Sequence, residues 1–250
     1  MNIRLSYFQT VNRPEFRELA PYLFFDYVSQ YTFEGLDSLQ RATIKNYDFR
    51  YEFFPGKAQL FSVSAFYKEF ENPIEIVSIP GASNNQAIYA NAKSAEVYGV
   101  EAEFRTLIST LIGMKREGSF LSKFTLSANA ALVKSKVKLG RVGFFDLSQQ
   151  VTDRALQGQS PYLINGSLGF NDEKLGISAT VSVNRVGDRI YIAGIKDQSA
   201  DIYEKARTVL DFQVSKLILK NKLELKLTGR DILAQNISFY SDYDLSKSYT

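Results

Sequence analysis

The sequence predicts an all-β fold, an antiparallel up-and-down sheet of the kind that forms a transmembrane β-barrel. Three observations lead there. Apolar and polar residues alternate with period two through runs of about ten residues, the length of a tilted membrane strand. No segment carries a convincing helical periodicity. The connections between runs alternate in length, short on one side and long on the other.

Residues 3–8 open the chain as a first strand. The clearest run is 44–54, where Tyr47, Phe49, Tyr51 and Phe53 share one parity and Asn46, Asp48, Arg50 and Glu52 the other. Side chains alternate across a strand, so this one has an aromatic face and a charged or polar face. Pro55-Gly56 punctuates the chain, and 58–70 resumes with Phe61, Val63, Ala65 and Tyr67 against Ser62, Ser64 and Lys68, completing a hairpin. At 96–106, Tyr98, Val100, Ala102 and Phe104 oppose Gly99, Glu101, Glu103 and Arg105. The run 120–133 sets Phe124, Leu126, Ala128, Ala130 and Leu132 against Lys123, Thr125, Ser127 and Asn129.

Four more runs follow: 161–170, 175–186, 207–217 and 221–230. In the first, Asn165-Gly166 is a strong hairpin dipeptide. The apolar parity of Tyr162, Ile164, Leu168 and Phe170 nevertheless passes through it, and Asn171-Asp172-Glu173-Lys174 supplies a turn just beyond. The short apolar stretch Leu107–Met114 is compatible with a helical turn and is assigned to no strand. Connections 55–57, 171–174 and 218–220 are short; 10–43, 71–94, 134–160 and 187–206 are long; 107–119 is intermediate. The long ones, such as Gly81-Ala82-Ser83-Asn84-Asn85-Gln86, read as ordered surface loops rather than low-complexity linkers. No domain boundary is visible.

Composition narrows the chemistry. The 250 residues contain no cysteine and no histidine, which removes disulfides, thiolate metal sites, the usual neutral-pH base and every Ser-His arrangement. A net charge of +3 is too balanced for a chain built around nucleic acid. No stretch approaches the ~20 apolar residues of a membrane helix, and Met1–Thr10 shows no signal-peptide pattern. A protein that spans with helices is excluded, whereas one that spans with strands is not.

Alternation alone leaves two orientations open. In a soluble secreted sandwich, the apolar parity faces a core. In a membrane barrel it faces lipid, and the polar parity lines a wet lumen. The length of the runs, the loop asymmetry and aromatics near strand ends (Tyr7 and Phe8; Phe53 and Phe54; Phe66, Tyr67 and Phe70) favour the barrel. A small complete barrel acting as a passive channel also fits the pattern.

Few residues invite a chemical role. Glu101 and Glu103 share a strand face, as paired acid/base carboxylates do, but beside Arg105 they read better as charges lining a lumen. Asp48, Arg50 and Glu52 form a ladder of alternating sign with the same reading. Lys134, Lys136 and Lys138 recur at period two, on either a solvated strand extension or a contact for an anionic ligand or lipopolysaccharide. Arg13-Pro14 and Asn72-Pro73 mark strand ends, where proline removes a ladder donor; Asn91 and Gly99 read as structural. No catalytic, metal-binding or cofactor-binding residue is assigned, no cofactor is expected, and the ligand-binding residues stay unknown.

Several stretches resemble TonB-dependent outer-membrane receptors, especially those of Bacteroidetes-like bacteria. They are Arg4-Leu5-Ser6-Tyr7 with Asn12–Leu19, then Leu39 and Ile44–Asp48 with Tyr51-Glu52. Ser62–Lys68 and Glu71–Glu75 follow. Next comes Tyr89-Ala90-Asn91-Ala92 with Tyr98-Gly99-Val100-Glu101-Ala102-Glu103, the most specific of the set. Val209–Lys216 and Leu225–Leu233 resemble penultimate strands. The resemblance implies a ligand-gated importer: a 22-stranded barrel closed by a plug and driven through TonB, in the outer membrane of a Gram-negative cell, binding and importing a scarce ligand such as an iron-siderophore. It places residues 1–250 as about nine or ten strands of that barrel, with the plug domain and final strand absent. Expected partners are outer-membrane lipid, TonB and a plug in the intact receptor, and an unidentified small-molecule ligand, with loops 10–43, 71–94, 134–160 and 187–206 capturing it.

Overall fold

The computed structural model describes all residues except 57, 80–84, 114–118, 140, 143–144, 147–150, 153, 196–197, 221 and 242–250, and leaves aside the side chains of 141–142, 145–146 and 151–152. It is dominated by one antiparallel wall. We number its main strands β1 (Asn2–Asn12), β2 (Ala42–Phe53), β3 (Leu60–Glu71), β4 (Ser94–Leu107), β5 (Phe124–Lys138), β6 (Tyr162–Asp172), β7 (Ile177–Val186), β8 (Arg207–Ile218) and β9 (Leu223–Gly229). Each pairs with the strand before and after it in sequence, and a short strand, Val151–Thr152, adds to the end of β5. All nine predicted strands are therefore present. The path runs through Asn165-Gly166 without turning, and the β6–β7 turn lies after Asp172.

Boundaries shift where local chemistry competes. Phe120–Lys123, expected as strand, forms a 3-10 turn, and β5 instead runs on to Lys138. Ile108–Leu111 forms the helical turn compatible with that stretch, while Met114 lies outside the described residues.

Register makes the two faces explicit. Tyr7, Tyr47, Tyr67 and Tyr98 stand directly opposite one another across β1–β4. Tyr7 and Tyr47 have ring centroids 5.1 Å apart, and Tyr47 and Tyr67 6.1 Å. Six residues further along each strand, ~20 Å at the usual rise, Phe53, Phe61 and Phe104 make a second aromatic row. Phe120, Phe124 and Phe170 continue it as a packed cluster, with centroids 4.9 to 5.9 Å apart. Between the rows, Leu5, Phe49, Val63, Val100, Leu132, Ile164, Leu168, Val181 and Leu227 are all exposed. An apolar belt bounded by aromatic girdles is what a wall facing lipid presents.

The other parity carries polar residues, and Asn46, Glu52, Ser62 and Ser215 on it are buried. The apolar side of the sheet thus looks outward and the polar side inward. That is the reverse of a sandwich, and no second layer covers the apolar rows among the described residues. Nor does the sheet close: β1 and β9 each pair on one side only. The passive-channel alternative, which needs a complete small barrel, therefore finds no support in this arrangement.

All long connections leave the same rim, and they hold most of the buried apolar residues. Residues Leu23–Asp26, Tyr31–Glu34, Gln86–Asn91 and Ile74–Ser78 form a four-stranded sheet, with Tyr31–Glu34 parallel to Gln86–Asn91. Arg189–Ile192, Ile202–Glu204 and Phe239–Ser241 form a three-stranded one. A bridge between Val77 and Ala193 joins the two. Under them Val77, Ala90, Ala95, Val137, Leu139, Ile190 and Ile195 make one buried cluster and Phe33, Ala87 and Ile192 a second. The connections expected as ordered surface loops are ordered over their described residues, and beyond that expectation they pack together as a cap; residues 81–84 of the quoted example lie outside the described residues.

Candidate functional site: the inner wall and the cap

The inner parity carries a continuous polar surface. Arg50 on β2 donates through Nε to Glu52 at 2.9 Å and through Nη2 to Glu103 on β4 at 2.8 Å. Arg4 on β1 reaches the same Glu52 at 3.1 Å. Ser62 donates to Glu103, and Ser64 to Glu101 at 3.2 Å. Glu101 and Glu103 do share a face, as expected, but each accepts from neighbouring strands in a network of alternating charge. Glu103 is paired with Arg50 across the strands, whereas Glu101 is held by the Ser64 hydroxyl.

Towards β7 amides and hydroxyls predominate. Glu103, Asn129, Asn165 and Asn184 lie in one cross-strand row. The Asn184 amide donates to Asn165, whose own amide donates to Asn129 at 2.7 Å. Ser127, Ser167 and Ser182 form the adjacent row, ending at Asp211. Together with Arg105 these residues line a groove of about 440 Å³ on the concave side. Three asparagines on three strands meet only through the register, so nothing local in the sequence announces the ladder. Asn165, which also fits an acceptor pattern for glycosylation, is one of its rungs.

The cap is organised by a few buried polar contacts. Arg154 donates to Glu75 through Nη1 at 3.0 Å and Nη2 at 2.8 Å, and each side chain is 1% exposed. The Gln157 backbone donates to Glu75 at 3.1 Å, its side-chain carbonyl accepts from Ile76, and its amide donates to the Tyr191 carbonyl. One node therefore ties connections 72–93, 139–161 and 187–206 together. Asn91 has the structural role expected of it: its carbonyl accepts from Gln40 and its amide donates to Gln40 and Asn72. At Gly99, a Cβ would stand 2.5 Å from the Leu132 carbonyl and 2.7 Å from Phe66, so close packing requires glycine.

Aromatic rings crowd the first connection. Phe24 packs against Phe33 and Tyr89, the Arg17 guanidinium lies 4.9 Å from the Phe24 ring centre, and Tyr27 is mostly exposed. Asp26 accepts from the Ser29 hydroxyl and backbone, which holds its carboxyl below the usual range. Burial pushes the Tyr89 and Tyr191 hydroxyls upward. Among the described residues, no group of three or more Asp or Glu is placed to hold a metal ion.

Comparison with known proteins gives this geometry a context. A family model described as TonB dependent receptor-like, beta-barrel, matches residues 1–230. A mutant form of the ferric enterobactin receptor PfeA of Pseudomonas aeruginosa superposes with a TM-score of 0.56 at 15% identity, covering 92% of this chain and 32% of the receptor. The siderophore receptor PirA of the same organism gives 0.57 at 13% identity, covering 94% and 36%. The copper transporter OprC gives 0.58 at 14%, covering 95% and 32%. At such identities the likeness is one of fold, and the chain spans only about a third of each receptor. Among curated proteins it is similar to the high frequency lysogenization protein HflD homolog of Buchnera aphidicola, 27% identical over 135 residues. That match covers 53% of this chain and 60% of that protein, too little to carry an assignment.

Proposed function

Because this chain belongs to the TonB-dependent receptor β-barrel family, we propose that it forms part of the wall and the outer cap of an importer for a scarce nutrient such as an iron-siderophore. Its work is binding rather than catalysis. The observation that carries the reading is the separation of surfaces: an apolar belt outside, a hydrogen-bonding surface inside, and a packed cap on the rim where all the long connections meet. In this reading the cap captures ligand, the inner wall borders its path, and residues 1–250 are nine main strands of a larger barrel in a Gram-negative outer membrane. A plug and TonB act with it in the intact receptor. Two unpaired sheet edges and coverage of a third of the solved receptors support that placement.

The test is equilibrium binding by the chain refolded in detergent, read as quenching of tyrosine emission. Ferric enterobactin, ferric citrate, cobalamin and copper(II) serve as probes, each beside its metal-free or apo control. Saturable quenching by one probe and not by its control is the expected result. A chain that is monodisperse in plain buffer, or indifferent to every probe, would overturn the reading.

A further inference from the structure

Asn165-Gly166 is the one asparagine-glycine pair in the sequence, and it sits in the middle of a strand rather than in a turn. The pair carries a reaction of its own. The Gly166 backbone nitrogen attacks the side-chain carbonyl carbon of Asn165 and closes a five-membered ring. A C–N bond forms, the bond from that carbon to the amide nitrogen breaks, and ammonia leaves with the proton from Gly166. Water then opens the cyclic imide at either carbonyl, giving aspartate or isoaspartate. Glycine favours the attack, because no Cβ hinders the nitrogen and the backbone turns freely. Packing does not ask for that glycine. A Cβ there would meet a single atom, Cγ1 of Val183, at 3.3 Å, on the outward face where Val183 is exposed.

Inside the wall the reaction is blocked twice over. β6 is an interior strand, with Asn165 directly opposite Asn129 on β5 and Asn184 on β7. An antiparallel strand holds ψ at about +135°, which turns the Gly166 nitrogen away from the side chain it would attack. Both ends of the Asn165 amide are also occupied: its nitrogen donates to Asn129 at 2.7 Å, and its oxygen accepts from Asn184. Fraying or pairing at the open edges, β1 and β9, leaves this strand covered.

We propose that Asn165 is a spontaneous deamidation site, closed while β6 stands in the sheet and open while the chain is unassembled, and that its conversion bars later assembly. Isoaspartate adds one carbon to the main chain, so the two halves of β6 no longer hold one register against β5 and β7. Aspartate keeps the main chain but removes the donor to Asn129 and sets a charge in the middle of the amide ladder. A chain left unfolded for long therefore loses its route back, and loss of the wall becomes irreversible.

The experiment follows the full chain in guanidinium chloride and refolded in maltoside micelles, incubated at the same mildly alkaline pH. Trypsin digestion and tandem mass spectrometry read conversion within residues 155–174, where Asn171 serves as an internal comparison. Asn165 converts about a hundredfold faster in the denatured chain than in the refolded one, and faster than Asn171. After ageing in denaturant, wild type refolds in a yield that falls in proportion to conversion, whereas Gly166→Ala refolds as it does fresh. Equal conversion of Asn165 in both states overturns the protection, and full refolding of converted chain overturns its consequence. Should Gly166→Ala fail to refold even when fresh, aged wild type alone decides, once its refolded and unrefolded fractions are separated. Converted Asn165 confined to the unrefolded fraction is the expected result, and an even spread over both fractions overturns the proposal.

Discussion

Glu75 and Arg154 stand 79 positions apart and meet through two charge-assisted contacts, both side chains sealed from solvent. A buried pair of this kind is expensive to break from one side, because the remaining charge loses its partner without regaining water. Glu75→Gln is expected to destabilise the cap by about 3–5 kcal/mol, seen as accelerated proteolysis within 72–93 and 187–206 while the wall keeps its β spectrum. An unchanged cleavage pattern would show that the apolar clusters hold the cap without it. Glu75 lies in a stretch whose family likeness is visible in the sequence, but nothing marks Arg154 as its partner. A contact across 79 residues leaves no periodic trace. The inner charges Asp48, Arg50, Glu52, Glu101 and Glu103 were legible for the opposite reason: each sits in a long run whose parity alone assigns its face.

At the scale of the element, parity is the whole argument. Val63 and Ser64 are adjacent on β3, one exposed in the apolar belt and the other donating to Glu101 on the inner side. Arginine at a lipid-facing position near the midplane costs about 2–4 kcal/mol, and much less where it faces a wet lumen. Val63→Arg should therefore lower folding into lipid vesicles sharply while Ser64→Arg leaves it nearly unchanged. Equal effects would remove the orientation on which both faces depend. Runs of ten to fifteen residues, such as β3 and β5, show their pattern plainly in the sequence. The cap strands do not, because Leu23–Asp26 and Tyr31–Glu34 have four residues each, too few for a period to emerge. One of their pairings is also parallel, which no hairpin rule anticipates. The asparagine ladder escaped for a related cause: Asn129, Asn165 and Asn184 become neighbours only once three strands are in register.

For the molecule as a whole, the open edges matter most. Every residue of β1 is exposed, and neither β1 nor β9 pairs on its outer side. Unpaired backbone groups in hydrocarbon cost several kcal/mol each, so the free chain should satisfy them by any route available. Refolded material run unheated on a gel is expected to migrate as dimers and larger species joined edge to edge. A compact, heat-modifiable monomer would mean instead that the nine main strands curl far enough to seal themselves.

The parallel pairing of Tyr31–Glu34 with Gln86–Asn91 also dictates an order of assembly. The wall pairs joined by short turns, such as β2–β3 and β6–β7, can zip as soon as both strands are available. The crown cannot: its parallel seam waits for β2 and β3 to be laid down, and the tie between Asp26 and Tyr191 spans 165 residues. Closing so distant a contact is slow when the intervening chain is loose and quick once ordered staves hold its ends together. The cap is therefore the last part to mature, and a pulse-labelled chain should acquire a protease-resistant sheet before it acquires a protease-resistant cap.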